Sequence, residues 1–350
     1  MGVPVSSSPH KGTPTQIDAN AQVCLTVALL PPMSVMRISV TIVTFNSSQT
    51  IDRCLKSLHA QVDPPRFEVI VVDNSSTDDT AEKIKCNYPN VQLIESATNV
   101  GFGTAQNRAS KSASGEFLLI LNPDTSLEPD ALARFSELCN TTDMLVPQLR
   151  FENGSLQRSI HRKWPSAWSH FYLYNMLLFF VIHRVSRDFD PTLFSIDAHQ
   201  KPQHPMHAMG AAMLLRRSAF HDVRGFNDNF FLYLEETDLC FRLKARGFSI
   251  TYLPEIVITH TLGASIDPGI LGQASPHFMA SSYRYFQVRK GKTPRFLFTV
   301  TWAILFVNHT ILWPIRKIFP NQQKLEVATQ FTQDALTWHR SDGRALLCTL

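Results

Sequence analysis

Charge is scarce in this chain. Only 18% of its 350 residues are charged, 44% are hydrophobic, and the formal net charge is +4. Disordered chains have the opposite balance, so a packed core is expected, and so small a charge gives no argument for a nucleic-acid partner. Cysteine patterning is also missing. Cys24, Cys54, Cys86, Cys139, Cys240 and Cys348 form no CxxC pair. Their spacing suits neither a zinc site nor a disulfide framework and reads as reduced thiols in a cytosolic compartment. No cluster supplies His and acidic residues at the spacing of a three-ligand catalytic metal site, which argues against a metal hydrolase. A full GxGxxG is absent. TNVGFGTAQNRA (98–109) sets Gly101 and Gly103 around Phe102 without the spacing or preceding strand of a dinucleotide fingerprint, which disfavours an oxidoreductase. Ahead of VCLTVALL (23–30) the only basic residue is Lys11, and Pro31-Pro32 follow it. A secretory signal is therefore not expected. Residues 1–35 read as a flexible leader, with Met33 or Met36 as alternative starts.

What is present alternates. RISVTIVTF (37–45), FEVIVV (67–72), VQLIE (91–95) and FLLIL (117–121) read as strands. The apolar runs suit burial on both faces of a parallel sheet. Between them lie helical patterns: Ile51, Leu55, Leu58 and Val62; a helix opened by Ser76-Thr77-Asp78-Asp79 with capping-box spacing; and one over 103–113. Strands alternating with helices predict an α/β fold with a mainly parallel sheet. Asn46, Asp73 and Asp124 end three of the strands, where such sheets bind ligands. Later, 226–247 holds a helix stopped by Gly247, and SITYLPEIVITH (249–260) reads as a strand.

Several residues have both a chemical and a structural reading. Asp73 can accept from a nucleobase N–H or a ribose hydroxyl, or simply cap a turn. Asp124 can bind Mg²⁺ or Mn²⁺ together with phosphate oxygens, or belong to a Pro123-Asp124 turn. Glu235-Glu236-Thr237-Asp238 crowds three acids, which a helix N-terminus only partly relieves. Asp238 can pair with Arg242 at i,i+4. Glu236 shares a helical face with Leu239, Cys240 and Leu243. An inward carboxylate there should have a raised pKa, which suits a general base. His260 is either a satisfied polar residue or a ligand favouring Mn²⁺. Two apolar stretches, 164–182 and 296–313, are marginal as spanning helices. The basic run 284–295, with Arg284, Arg289, Lys290, Lys292 and Arg295, adjoins the second. The pair reads as contact with an anionic membrane surface, or as a core helix beside a solvated loop.

Taken in order, VTFN (43–46), VVDNSSTDD (71–79), TNVGFGTAQNRA, LNPD (121–124), GAAMLLRRSAF (210–220), GFNDNFFLYLEETDLCFRLKARG (225–247) and TH..GAS (259–265) resemble an inverting family 2 glycosyltransferase. The resemblance is strongest to the rhamnosyltransferase-like bacterial branch and covers about residues 37–265. It implies a GT-A (Rossmann-like) fold: a mixed, mainly parallel sheet flanked by helices over 36–265, with an apolar insertion at about 164–205. Residues 266–350 would add basic, amphipathic, membrane-associated helices. By the same resemblance Thr44, Phe45, Asn46, Asp73, Asn99, Gly101, Phe102, Asn122 and Asp124 would bind the nucleotide. Asp124 and His260 would hold Mg²⁺ or Mn²⁺, Glu236 would be the base and Asp238 the acid following it. Gly210, Ala211 and Glu235 would meet the acceptor. The implied activity is that of a hexosyltransferase in cell-surface polysaccharide synthesis. Its donor would be dTDP-rhamnose or a UDP-sugar, and its acceptor a glycan or a polyprenyl-diphosphate-linked glycan. It would work on the cytoplasmic face of the membrane, with a homodimer as a further expectation. The rival is a nucleotide-sugar-binding protein without transfer activity.

Overall fold

The computed structural model describes Gly2 and residues 37–175, 192–261, 276–290, 293–319 and 323–349. The rest of the expected leader, the middle of the apolar insertion, and Gly263, Ala264 and Ser265 of the last motif lie outside the described residues. Every element below belongs to the unit Val35–Leu350.

Strand β1 (Arg37–Thr44) is built from alternating residues whose side chains serve the two faces of a sheet. It lies parallel to and between β2 (Arg66–Asp73) and β4 (Phe117–Leu121). Beyond β2 comes β3 (Gln92–Glu95). On the other side β4 pairs antiparallel with β10 (Ala212–Arg216). The sheet continues through β6 (Met144–Arg150), β11 (Ile250–His260) and β5 (Thr125–Leu127), with β7 (Leu156–Gln157) on the flank of β6. A separate ribbon pairs β8 (Ile160–His161) with β9 (His207–Ala208).

The strand order reverses between β1 and β4. The crevice outside the strand ends at such a reversal is where open α/β sheets hold ligands. Register fixes what meets there: Thr44 faces Asp73, and Leu121 faces Ile42, so Asn122 to Asp124 emerge at the same edge. β11 gains a second partner at its end. It runs parallel to β6, shifts register between Leu253 and Val257 next to Pro254, and ends antiparallel to β5 with His260 opposite Thr125. A proline is tolerated at such an irregularity because no ladder bond is lost.

Helices cover both faces. Ile51 and Leu55 of α1 (Ile51–His59), with Leu132 and Phe135 of α4 (Ala131–Leu138), pack on Ile38, Val40, Ile42, Leu119 and Leu121. Ala105 and Ala109 of α3 (Phe102–Ser112), with Leu239 and Leu243, pack on Ile70, Val72, Leu118 and Ile120. Two expected details differ. Val62 is not on α1, which stops at His59. It is exposed, and its N–H bonds to the Pro129 carbonyl. No capping box forms at Ser76. The Ser76 hydroxyl donates to Asp73 instead, and α2 (Thr80–Asn87) starts behind an Asp78 carboxylate that accepts from the N–H and hydroxyl of Thr80.

A third core joins α5 (Ala167–Tyr174) to C-terminal helices α8 (Pro276–Lys290), α9 (Thr293–Ile318) and α10 (Gln323–Arg340). Helix α9 buries Leu297, Leu305 and Leu312 in this core yet leaves a second apolar face uncovered. Its polar Thr301 and Asn308 face the protein, bonded to His170 Nε2 at 3.0 Å and the Tyr174 carbonyl at 3.1 Å. Phe296, Trp302, Phe306, Val307, Ile311 and Trp313 are exposed.

Candidate active site

The turns after β1 and β2 are sewn together. Asp73 is buried. Its Oδ1 accepts from Thr44 Oγ1 (2.9 Å) and Ser76 Oγ (2.6 Å), and its Oδ2 accepts from the Ser76 N–H (3.0 Å). An ionised carboxylate has about four lone-pair sites, so one remains for a ligand. Asn46 adopts a left-handed φ of 50°, and its Oδ1 accepts from the Thr77 N–H at 2.8 Å. Phe45 stands exposed at the rim. Asn99 Oδ1 accepts from Asn74 Nδ2 (2.7 Å) and the Gly101 N–H (3.0 Å). Gly101 has φ +84°, and a Cβ there would lie 2.4 Å from the Phe231 carbonyl oxygen, which also accepts from the Phe102 N–H. Only glycine fits. The loop is thus anchored to both Asn74 and the 226–234 segment. Beside it a groove opens between Val100, Asp228, Phe231 and Arg284.

At the end of β4, the Asn122 N–H donates to the Ala211 carbonyl (2.9 Å), and the Asn122 carbonyl accepts from Thr125 Oγ1 (2.7 Å). Asp124 is buried, and its carbonyl accepts from the Thr261 N–H. His260 brings Nε2 to 3.3 Å from Asp124 Oδ1. His260 Nδ1 lies 3.0 Å from Gln157 Oε1, while Gln157 Nε2 donates toward Met209 Sδ. That orientation makes Gln157 the acceptor and puts the proton on Nδ1. With a neutral ring, Nε2 turns its lone pair toward a carboxylate oxygen, and two acceptors facing each other suit a cation between them. A hydrogen-bond acceptor on the far nitrogen is the usual support of a metal-binding imidazole. Carboxylate plus imidazole is a donor pair that suits Mn²⁺. No group of three His, Cys, Asp or Glu ligands occurs among the described residues, so Asp124 and His260 could supply two ligands to a cation and not a complete shell.

Helix α7 (Glu235–Ala245) begins behind Tyr233 and Leu234, both left-handed with φ 71° and 63°. Consecutive non-glycine residues in that region store strain and aim the first turn of α7 at the sheet edge. A Cβ on Gly210 would sit 3.4 Å from Glu236 Cβ. Gly210 precedes Ala211, whose carbonyl holds Asn122, so a short run of chain links Glu236 to the turn that carries Asp124. Glu236 Oε1 accepts from Thr237 Oγ1 at 3.0 Å. Burial raises the Glu236 pKa, with neighbouring Asp238 adding to it, while helix N-terminal N–H groups oppose the rise.

The other two acids are placed differently. Glu235 is 4% exposed, packs beside Gly103 and leaves Oε2 without a partner; burial and then Glu236 push its pKa well up. Asp238 is fully buried between two guanidiniums: Oδ2 accepts from Arg242 Nε at 2.6 Å, and Oδ1 from Arg289. Both oxygens are engaged, so Asp238 holds α7 in place and has no oxygen turned to the crevice.

A profile of Glycosyl transferase family 2 matches residues 39–224. The chain belongs to glycosyl transferase family 2. It is 30% identical over 241 residues to the N-acetylglucosaminyl-diphospho-decaprenol L-rhamnosyltransferase of Mycobacterium tuberculosis, covering 63% of this chain and 75% of that one. To rhamnosyltransferase WbbL of Escherichia coli K12 it is 26% identical over 239 residues, covering 63% and 82%. The fold is similar to that of GalNAc-T7, solved with UDP, GalNAc and Mn²⁺, at TM-score 0.52 and 15% identity, over 86% of this chain and 55% of that one. The chain is a glycosyltransferase with a GT-A-like fold.

In this family 2 enzyme several supporting residues were invisible beforehand. Gln157, behind His260, sits 103 positions away with no local signal. Arg289 was read as part of a basic run. It turns inward to Asp238, and its guanidinium lies 3.8 Å from the Phe241 ring centroid. Arg284, from the same run, lines the groove by Phe231. Charge counting could not separate these two arginines from solvent-facing ones.

Proposed function

We propose that this glycosyltransferase moves a sugar, with inversion, from a nucleotide-diphosphate donor (dTDP-rhamnose or a UDP-sugar) to a hydroxyl of a polyprenyl-diphosphate-linked glycan in cell-surface polysaccharide synthesis. The observation that supports the reading is the run Gly210-Ala211, which packs against Glu236 at one residue and holds Asn122, two positions before Asp124, at the next, with His260 beside Asp124. Asp124 and His260 would hold Mg²⁺ or Mn²⁺, which when bound neutralises charge developing on the departing diphosphate. Asp73 offers its remaining lone pair to the base, and the Asn46–Ser76–Thr77 turn shapes the floor beneath it. Glu236 takes the proton of the acceptor hydroxyl while the hydroxyl oxygen bonds to C1. The C1–O bond to the diphosphate breaks and its electron pair leaves with the nucleotide. A single displacement from the opposite face inverts C1, with no covalent enzyme intermediate of the kind retaining glycosidases form. The raised Glu236 pKa brings the base nearer working pH.

The acceptor reading draws on the name of the mycobacterial relative and on α9. This helix turns its aromatic face outward and ends with Arg316 and Lys317, and Lys317 lies 3.7 Å from the centroid of the Trp313 ring. By length and composition alone it could also span a membrane. Its inward Thr301 and Asn308 bonds favour a helix lying in the interface of the cytoplasmic leaflet. Two measurements test the proposal. In a nucleotide-sugar panel with Mn²⁺, one donor should raise the melting temperature and Asp124→Ala should abolish the rise. Trp302→Glu/Phe306→Glu should lose co-sedimentation with anionic vesicles. No shift with any donor, or unchanged sedimentation, contradicts the corresponding half.

A further inference from the structure

Behind Glu236 lies a buried chain of polar groups that the proposed chemistry does not use. Thr237 is fully buried, and its Oγ1 donates to Glu236 Oε1 at 3.0 Å. The same Oγ1 lies 3.2 Å from Nδ1 of His207. His207, on β9, is itself buried. Its ring stacks on His161, with centroids 4.1 Å apart and planes 7° from parallel, and on Trp164 at 5.8 Å. His161 sits opposite His207 in the β8–β9 ribbon, and its Nδ1 meets Thr192 Oγ1 at 3.1 Å.

The proton count assigns the direction. Thr237 has one hydroxyl proton. Given to Glu236, it leaves the oxygen free to accept from His207 Nδ1–H. His207 Nε2 is then an unprotonated lone pair, and it is indeed a buried atom without a hydrogen-bond partner. In the opposite tautomer, His207 Nδ1 and Glu236 Oε1 would compete for the one Thr237 proton, and one of the two acceptors would go without a donor. The stack on His161 and Trp164 fixes the ring plane, so the chain can hold only one geometry.

We propose that His207 and Thr237 are positioning residues for this enzyme's base: the His207–Thr237–Glu236 chain fixes the rotamer of the Glu236 carboxylate at the sugar-transfer edge. This rests on Glu236 being the base. Burial and the neighbouring His161 keep His207 neutral, so no positive charge is added one hydroxyl away from that base. Thr237 and His207 orient the Glu236 carboxylate without touching substrate themselves, and misplacement of such a group by about 1 Å can cost about 100-fold in rate.

The test uses the full chain with Thr237→Val, which keeps shape and loses the hydroxyl, and Thr237→Ser, which keeps the hydroxyl. His207→Asn keeps a donor near the Nδ1 position, and His207→Phe keeps the stack alone. Rates are read as nucleoside diphosphate released from the donor that the binding panel selects among dTDP-rhamnose, UDP-glucose and UDP-N-acetylglucosamine. N-acetylglucosaminyl-diphospho-decaprenol serves as acceptor. Thr237→Val and His207→Phe should lower kcat by about 10-fold to 100-fold with donor KM within about twofold, and Thr237→Ser and His207→Asn should recover most of it. A kcat unchanged in Thr237→Val, or a Thr237→Ser variant as slow as Thr237→Val at an equal melting temperature, overturns the proposal. Should Glu236→Gln keep turnover, it is the base assignment that fails. Should Glu236→Gln lose turnover while Thr237→Val keeps it, only the relay fails.

Discussion

Replacing Arg289 by methionine takes one of two guanidiniums from a carboxylate that has no exposed surface. Removing one partner of a buried ion pair costs about 3–5 kcal/mol, mostly because the other charge stays buried. Two facts pull the figure to the low end. Arg242 stays on Oδ2, and the Arg289 side chain is 14% exposed, so solvent screens part of the interaction. Methionine keeps apolar contact with Phe241 but loses a cation–π contact of about 0.5–1 kcal/mol. The sum is about 3–4 kcal/mol. Urea unfolding followed by tryptophan fluorescence measures it, in a double-mutant cycle with Asp238→Asn. In the Asp238→Asn background the same substitution should cost about 1 kcal/mol. A cost below about 1 kcal/mol in the wild-type background, or simple additivity, would refute the claim that Arg289 of α8 holds the site helix α7 through Asp238.

Three further outcomes follow from the site. Glu235→Gln should raise stability increasingly with pH. The raised folded-state pKa means that the Glu235 contribution is fully present below the ordinary value of 4.5 and is lost toward the higher folded value. The slope over that interval is about 1.4 kcal/mol per pH unit, and equal melting temperatures at pH 4 and pH 7 would contradict it. Gly101→Ala places a Cβ 2.4 Å from the Phe231 carbonyl, so the loop should detach and donor-dependent thermal shift should shrink while the core unfolds cooperatively; an unchanged shift counts against the loop's role. The Cys54 thiol is pushed up to about 12 by burial beside Asp124. Peptide mapping after thiol labelling at pH 8 should find Cys54 unmodified in the native protein and modified in urea, and native labelling would show that the Asp124 edge opens.

The half of the fold that holds the crevice was readable because it is locally coded. β4 is an uninterrupted apolar run, β2 holds one in Val69 to Val72, and β1 alternates apolar with small polar residues; the polar residues that follow or end them, Asn46, Asp73 and Asp124, fall at the edge where the sheet order reverses. The helical face of Glu236 marked it only as an inward carboxylate, and its reading as the base came from the family resemblance. What stayed hidden depends on contacts distant in sequence. Asp238 had a visible i,i+4 partner in Arg242, yet its second partner, Arg289, lies 51 positions on. His207 is 30 positions from the threonine it meets. Residues 226–234 sat within a stretch read as holding a helix. They form a loop because Tyr233 and Leu234 take left-handed backbone angles that no local propensity favours. The apolar character of α9 was visible, but its outward direction was not, since periodicity does not say which face a neighbour will cover.

The central claim is that Glu236 is the base at an edge shared with the donor's metal ligands. Its direct test is Glu236→Gln assayed for donor-dependent thermal shift and for nucleoside diphosphate release in parallel. The amide keeps the shape and cannot take a proton. The account predicts an unchanged donor shift with turnover lowered by about 100-fold or more. Turnover near that of the wild-type enzyme, with the shift intact, would contradict it.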